Sequence, residues 1–450
     1  MGSHLPINAN KAIVHTAFIA VLLLALSACD TEPSGERGDA GAGAGAVAER
    51  LACDVDNGGL ELPDGFCALV VADNLGFVRH LTVNSNGDIY LALRHRRLKL
   101  GGIMALRDTT GNGKADIIER FGDIPGIGII VVDGYLYFGS DTAVLRYRLE
   151  PGALVPWATP DLIAGGFPEQ SVHAAKPFAF DNAGSMYVSV GAPSNACQEA
   201  DREPGSPGLD PCPLLAQHGS IWRFDRNELS QPLDGDGYLY ASGIRYAVAI
   251  AWNPLSDSLY VVQHGRDGLN QLWPDLFTVQ QGAELPSEEF LLVEKGSIFG
   301  WPYCYYDHIQ ARLVLAPEYG GDGRTVGRCA QYPDPLIGFP GHYGPNDLMF
   351  YTSDQFPERY RGGAFIAFHG SYNRAPLEQA GYQVVFVPFD GGLPEDHWEM
   401  FADGFAGAGP VAHPEDAEYR PTGLAQGPDG SLYISDSVQG RIWRVLYRSE

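Results

Sequence analysis

From His80 to the C-terminus, apolar and polar positions alternate with a period of two, in short runs broken by Gly, Asp and Asn. The first copy reads HLTVNSNGDIYLAL from His80, and the next reads IIVVDGYLYFGS from Ile129. FAFDNAGSMYVSVG from Phe178 and IAWNPLSDSLYVVQHG from Ile250 keep the form. So do LMFYTS…GGAFIAFHGS from Leu348 and LAQGPDGSLYISD from Leu424. Period two sends successive side chains to opposite faces of a strand, and Asn-Gly or Asp-Gly between two such runs is a hairpin signal. Third strands follow several copies: VLRYRL from Val144, SIWRFD from Ser220, YQVVFVPF from Tyr382 and RIWRVLY from Arg441. Repetition at this length predicts an all-β chain, a six-bladed β-propeller with four-stranded blades around a central channel, because radial repetition hides sheet edges. A sandwich accommodates two or three such hairpins but hardly six. No window carries helical periodicity over a useful length.

Composition agrees with strands and turns. Aromatics are 11% of the 450 residues, with 22 Tyr and 21 Phe, and Gly 56 and Pro 32 suit many short turns. Lys+Arg 30 against Asp+Glu 55 leaves a net charge of −25, which repels phosphate backbones and argues against nucleic acid as a partner.

The alternation does not reach the N-terminus. An unbroken apolar run from Ala17 to Leu26 follows Lys11 and His15, too short to span a bilayer but suited to a signal peptide. It ends in Leu26-Ser27-Ala28-Cys29, which resembles a bacterial lipobox, so residues 1–29 are expected to be a lipoprotein signal ending at a lipidated Cys29. Asp30 follows, as in the inner-membrane retention signal of enterobacterial lipoproteins, although inner and outer membrane both stay open. Residues 30–50 are Gly/Ala-rich and read as a flexible tether of roughly 25 Å root-mean-square span. Residues 51–450 then form the propeller. The expected place is the periplasmic face of a bacterial membrane, held by the lipid alone.

Cysteine usage fits export. Setting Cys29 aside leaves six of the seven, in sequence-local couples: Cys53 and Cys67, Cys197 and Cys212, Cys304 and Cys329. Six cysteines allow fifteen pairings, and local pairing is the simplest among short loops. Disulfides imply an oxidising compartment. The absence of C-x-x-C excludes a cysteine zinc site and covalently attached haem.

One loop carries a metal signal of its own. Asp108, Thr110, Asn112, Asp116 and Glu119 place oxygen side chains at loop positions one, three, five, nine and twelve, and Lys114 would offer its carbonyl at seven. Gly113 stands where the sharp turn needs it, so a structural calcium loop without flanking helices is expected.

Several separated motifs, in order, resemble the quinoprotein sugar dehydrogenases of the soluble glucose and sorbosone dehydrogenase type, over roughly Leu60 to Tyr447. That family implies pyrroloquinoline quinone (PQQ) and Ca²⁺ on a six-bladed propeller. His173-Ala174-Ala175-Lys176 stands where the family has its general base, so His173 would take the hydroxyl proton while hydride passes to the quinone, with Lys176 at a customary cationic position beside the cofactor. Gly243-Ile244-Arg245-Tyr246-Ala247 resembles the stretch whose Arg meets the quinone carbonyl, giving Arg245 a catalytic and cofactor-binding role with Tyr246 beside it. His264-Gly265-Arg266-Asp267 resembles the loop that holds the channel Ca²⁺, which makes Gly265, Arg266 and Asp267 its metal candidates. Phe299-Gly300-Trp301-Pro302 matches the following aromatic motif and adds Trp301 to the cofactor set. His369-Gly370-Ser371-Tyr372-Asn373-Arg374 and Tyr419-Arg420-Pro421-Thr422-Gly423 supply Arg374 and Arg420 for the cofactor's carboxylates.

Four positions depart from the pattern. Tyr246 replaces Asn, Ala247 replaces Pro, Thr422 stands where glucose-oxidising relatives carry a second cation, and Ala192 replaces the side chain that orients the base. Another group must therefore orient His173, or the base is weaker, or the chain is not a dehydrogenase. The resemblance implies PQQ-dependent oxidation of a sugar or related alcohol or aldose, with electrons leaving to a respiratory quinone or cytochrome. A calcium-dependent lactonase-like hydrolase and a non-catalytic ligand- or glycan-binding propeller are the alternative readings.

Overall fold

The computed structural model describes residues 51–448 apart from 96, 97, 99 and 372, so Cys29, the signal segment 1–29 and the tether 30–50 lie outside the described residues. Six four-stranded antiparallel sheets carry the chain, some extended by a short parallel strand. Their innermost strands are Val78–Val83, Gly126–Val132, Phe178–Phe180, Ala249–Asn253, Pro345–Phe350 and Pro421–Gln426, and these abut one another around a common axis. Each blade then steps outward by hairpins. Blade one, for example, continues through Ile89–His95, Leu100–Arg107 and Ile117–Phe121. The predicted Asp133-Gly134 turn is formed with φ of 51° and 77°, the two left-handed residues that a tight hairpin of this twist requires.

A blade packs on a neighbour across each face, and this explains where clean alternation fades. In Ser185–Val190, Ala364–Phe368 and Gln383–Val387 every residue is buried. The core is accordingly six radial slabs between successive blades rather than one central mass. The ring closes between the chain ends: Phe66–Ala72 runs antiparallel to Ile442–Tyr447 as the outermost strand of blade six. That strand was not among the repeats read from the sequence.

All three expected disulfides form, Cys53–Cys67, Cys197–Cys212 and Cys304–Cys329. The last two brace long excursions from blades three and four, which pack on each other and on Ala192 through Trp301, Tyr303 and Leu313. A further excursion carries short helices Leu269–Leu272 and Val279–Glu284, which the period-two pattern did not announce.

Candidate active site

Blade geometry delivers the start of each inner strand and the end of each second strand to the same end of the channel. His173, Arg245 and Arg420 precede inner strands; Ala192, His264 and His369 follow second strands. Sequence-distant loops therefore meet there.

His173 sits at φ 52°, a left-handed conformation that a non-glycine residue holds only when its surroundings impose it. Gln170 does so: its side-chain amide lies within 2.7–3.0 Å of the carbonyls of Val172, His173 and Gly191. The Nδ1 of His173 is 2.7 Å from the carbonyl of Ala192. A carbonyl only accepts, so Nδ1 carries the hydrogen and Nε2 keeps its lone pair. The residue at 192 thus orients the imidazole through its backbone, and no side chain is needed there. Its own N–H donates to the Arg245 carbonyl at 2.8 Å, tying base and guanidinium to one peptide.

The Tyr246 ring stacks on His173 with centroids 4.6 Å apart and planes 23° apart, and His264 lies beyond it at 5.9 Å. Glycine is obligatory at 191, where a Cβ would fall 2.3 Å from the Tyr246 ring and 2.7 Å from the His173 Cβ. Burial and then the Arg245 charge push the His173 imidazole well below its usual value, and burial takes His264 down to about 4. Both are neutral at physiological pH, so His173 is available as a base.

Arg245 is buried and fully engaged. Its Nη2 donates to Asp267 Oδ2 at 2.9 Å and to Asn195 Oδ1 at 3.1 Å, and its Nη1 donates to the Gly265 carbonyl at 2.8 Å. Asp267 also receives Arg202 at 2.7 Å and Asn373 at 2.8 Å. Burial acts to raise this carboxyl, and the Arg245 and Arg202 guanidinium groups overcome it, holding the group ionised far below the usual range. Arg420 donates to the carbonyls of His369 at 2.9 Å and Gly370 at 2.6 Å, while His369 Nε2 lies 2.7 Å from Ser437 Oγ.

Arg79, on the inner strand of blade one, escaped the sequence reading. Its Nε is shut from solvent with no hydrogen-bond partner, and burial followed by the Arg94 and Arg420 charges lowers its pKa to about 10. It has no salt bridge among the described residues. Its unmatched N–H and positive charge stand near Arg420, His369 and Tyr246 in a protein of net charge −25. No motif marks it, since a lone Arg in a strand reads as a surface residue.

Other expected residues stand elsewhere. Lys176 is wholly buried with its ammonium on the Ala174 carbonyl, and burial lowers it to about 8, so it supports the His173 loop and does not line the channel. Trp301 is buried too; its Nε1 donates to the Asn195 carbonyl at 2.9 Å and so buttresses Arg245 indirectly. Arg374 turns to the carbonyls of Ala283, Gly341 and Glu378 at 3.1–3.3 Å, away from His173. The convergent set is therefore His173, Arg245, Arg420 and Arg79.

Such a set fits an anionic planar cofactor. It does not gather a Ca²⁺ shell at Gly265–Asp267 as arranged: the Gly265 carbonyl and both Asp267 oxygens already hold positive or N–H donors, and the Arg266 side chain is turned into a buried ion pair with Glu318, which leaves that residue its backbone carbonyl alone. Nor does the 108–119 loop gather a shell. The Asp108 carboxylate is filled by Thr110, Gly111 and Gly113, and Asn112 accepts the Lys114 N–H. Asp116 takes Thr109, and Glu119 continues into strand Ile117–Phe121 rather than turning back. Among the described residues no three His, Cys, Asp or Glu side chains are grouped to hold a metal.

Comparison with known proteins bears on the same region. A family model described as TrAA12-like matches residues 60–448. An uncharacterised protein of Borreliella burgdorferi is 26% identical over 210 residues, 46% of this chain and 48% of that protein. A pyrroloquinoline quinone-dependent pyranose dehydrogenase of Coprinopsis cinerea is 26% identical over 176 residues, 32% of this chain and 22% of that enzyme. The chain thus spans half or less of the length of these relatives. The PQQ domain of the Coprinopsis pyranose dehydrogenase, in holo form, superposes with a TM-score of 0.68 at 17% identity, covering 86% of this chain and 97% of that one. A calcium structure of the Trichoderma reesei AA12 enzyme gives 0.69 at 18%, with the same coverage. These likenesses establish a shared fold.

Proposed function

We propose, starting from the fact that this chain belongs to the TrAA12-like family, that it is an oxidoreductase using PQQ to oxidise a sugar or related alcohol. The observation that carries the reading is the meeting of one neutral, pre-oriented imidazole with three guanidinium groups at a single end of the channel. PQQ bears three carboxylates, and Arg79 and Arg420 would hold them, the first through an N–H that has no other partner. When bound, the cofactor supplies a two-electron acceptor for hydride from the sugar carbon. His173 Nε2 takes the hydroxyl proton, and its Nδ1–H stays fixed on Ala192 throughout. Arg245, clamped by Asp267 and Asn195, provides a fixed positive charge where negative charge develops.

Export and lipid anchoring at Cys29 would place this chemistry on the periplasmic face, and a respiratory quinone or cytochrome would collect the electrons. The test is reconstitution with PQQ, with and without Ca²⁺, followed by dye-linked oxidation across a sugar panel. Absence of PQQ binding at micromolar concentration would sink the assignment, and acid release from lactones without PQQ would move it to hydrolysis.

A further inference from the structure

Beside the His173 loop, between blades one and two, lies a cavity of about 630 Å³ that no part of the chemistry above uses. Its walls include Arg94, His95, Asp141, Thr142, Glu169 and Gln170. Two of these connect it to the site. Gln170 is the residue that clamps His173, and Arg94 is one of the charges that press on Arg79. Its volume falls within the roughly 300–1,000 Å³ common for small-molecule sites.

The wall chemistry is specific. Arg94 meets Asp141 in a two-point fork, Nε to Oδ1 at 3.2 Å and Nη2 to Oδ2 at 3.1 Å, with the Asp141 side chain 33% exposed. This pair is neutral overall and presents both donors and acceptors along one edge. Glu169 adds an exposed carboxylate at the rim, with no hydrogen-bond partner among the described residues, and Thr142 adds a hydroxyl. His95 supplies a flat wall, braced edge-on by Phe77 at 4.0 Å and 74°. Carboxylates that accept two neighbouring hydroxyls, a donor fork and a flat apolar face are what a sugar ring offers partners for. Among the described wall residues the Arg94–Asp141 pair cancels and Glu169 alone carries net charge, which suits an uncharged ligand.

We propose that this cavity is the sugar subsite, in which Glu169 and the Arg94–Asp141 pair hold a vicinal diol of an uncharged sugar at the end remote from the carbon presented to His173. The assignment rests on the oxidoreductase reading above and sharpens its substrate class. Glu169 is therefore a specificity residue, and Gln170 remains a positioning residue.

The experiment compares the wild-type holoprotein with Glu169→Gln on the best aldose of the panel and on its deoxy analogues. Glu169→Gln should raise KM about tenfold with kcat kept within about twofold, as expected for a lost hydrogen bond to a charged group. Its pH profile should not move. The penalty that the wild type shows for the deoxy analogue should shrink in the variant. An unchanged KM, or a fall in kcat with a shifted pH profile, overturns the subsite. Should PQQ support no turnover at all, saturation-transfer NMR on the PQQ-free proteins separates the two claims. Sugar binding that is lost in Glu169→Gln upholds the subsite while the oxidoreductase reading fails. Equal binding by both proteins, or binding by neither at tens of millimolar sugar, overturns it.

Discussion

At the scale of single residues the decisive feature is a charge without a partner. A buried N–H left unmatched destabilises the protein that contains it, and the half-buried Arg79 has such a group at Nε and lacks a salt bridge among the described residues. If that charge exists for an anionic cofactor, stability and binding must respond to its removal with opposite signs. Arg79→Met should raise the melting temperature of the cofactor-free protein by a degree or more and weaken PQQ binding about tenfold or more, measured by calorimetry and by titration. A variant that loses stability and binds PQQ as the wild type does would return Arg79 to a structural role. The residue was illegible in sequence because isolated cations in strands are commonplace. His173 and Arg245 were legible because motifs flank them. Lys176 was legible and misplaced: sequence order put it beside the cofactor, but a lysine between His173 and Phe178 has to pass beneath the loop, where its ammonium finds only the Ala174 carbonyl. Ala192 carried the reverse lesson, since a side chain missing from a motif was replaced by a peptide carbonyl.

At the scale of elements, alternation reported the inner and second strands of each blade and often the third. Fourth strands such as Ile117–Phe121, four of whose five residues are exposed, carry little pattern and went unread. The closing strand Phe66–Ala72 was missed for a different reason: its partner Ile442–Tyr447 lies at the far end of the chain, and no local signal encodes that pairing. Closure makes this strand more consequential than its length suggests. Phe66 meets Phe356, Tyr360, Phe401 and Tyr447 edge-on at 4.8–5.2 Å, so one ring joins blades five and six. Phe66→Ala should cost about 3–5 kcal/mol, the range for emptying a buried aromatic site. Chemical denaturation monitored by tryptophan fluorescence reads it, and the whole molecule should unfold in one transition at lower denaturant. A shift below about 1 kcal/mol would mean that the ring is held elsewhere.

At the scale of the whole molecule, folding displaces the titration of several buried groups, and their sum sets a pH dependence that no single site reveals. Burial lowers the imidazoles of His173, His218, His264, His308, His342 and His369. Unfolding restores them to about 6.5, so below that pH the unfolded chain binds protons that the folded chain refuses, and stability falls as pH falls. Glu288 and Glu289 act the other way: burial raises each to about 7, so between their unfolded value near 4.5 and pH 7 the folded chain holds the extra proton. Within that window acidification favours folding through these two carboxyls. Burial raises Asp347 as well, so six imidazoles stand against three carboxyls, and each group contributes at most about 1.4 kcal/mol per pH unit while its two states differ in protonation. The net effect is loss of stability on the acid side. Melting temperature should therefore drop by several degrees from pH 7 to pH 5 in scanning calorimetry. The combined substitution Glu288→Gln with Glu289→Gln, which removes two of the opposing protons and keeps the volume, should make the drop steeper. A melting temperature that holds or rises over this range would show that the imidazoles are solvated, and with them His173. The neutral base proposed for the chemistry and the acid lability of the fold thus share one cause, the burial of imidazoles.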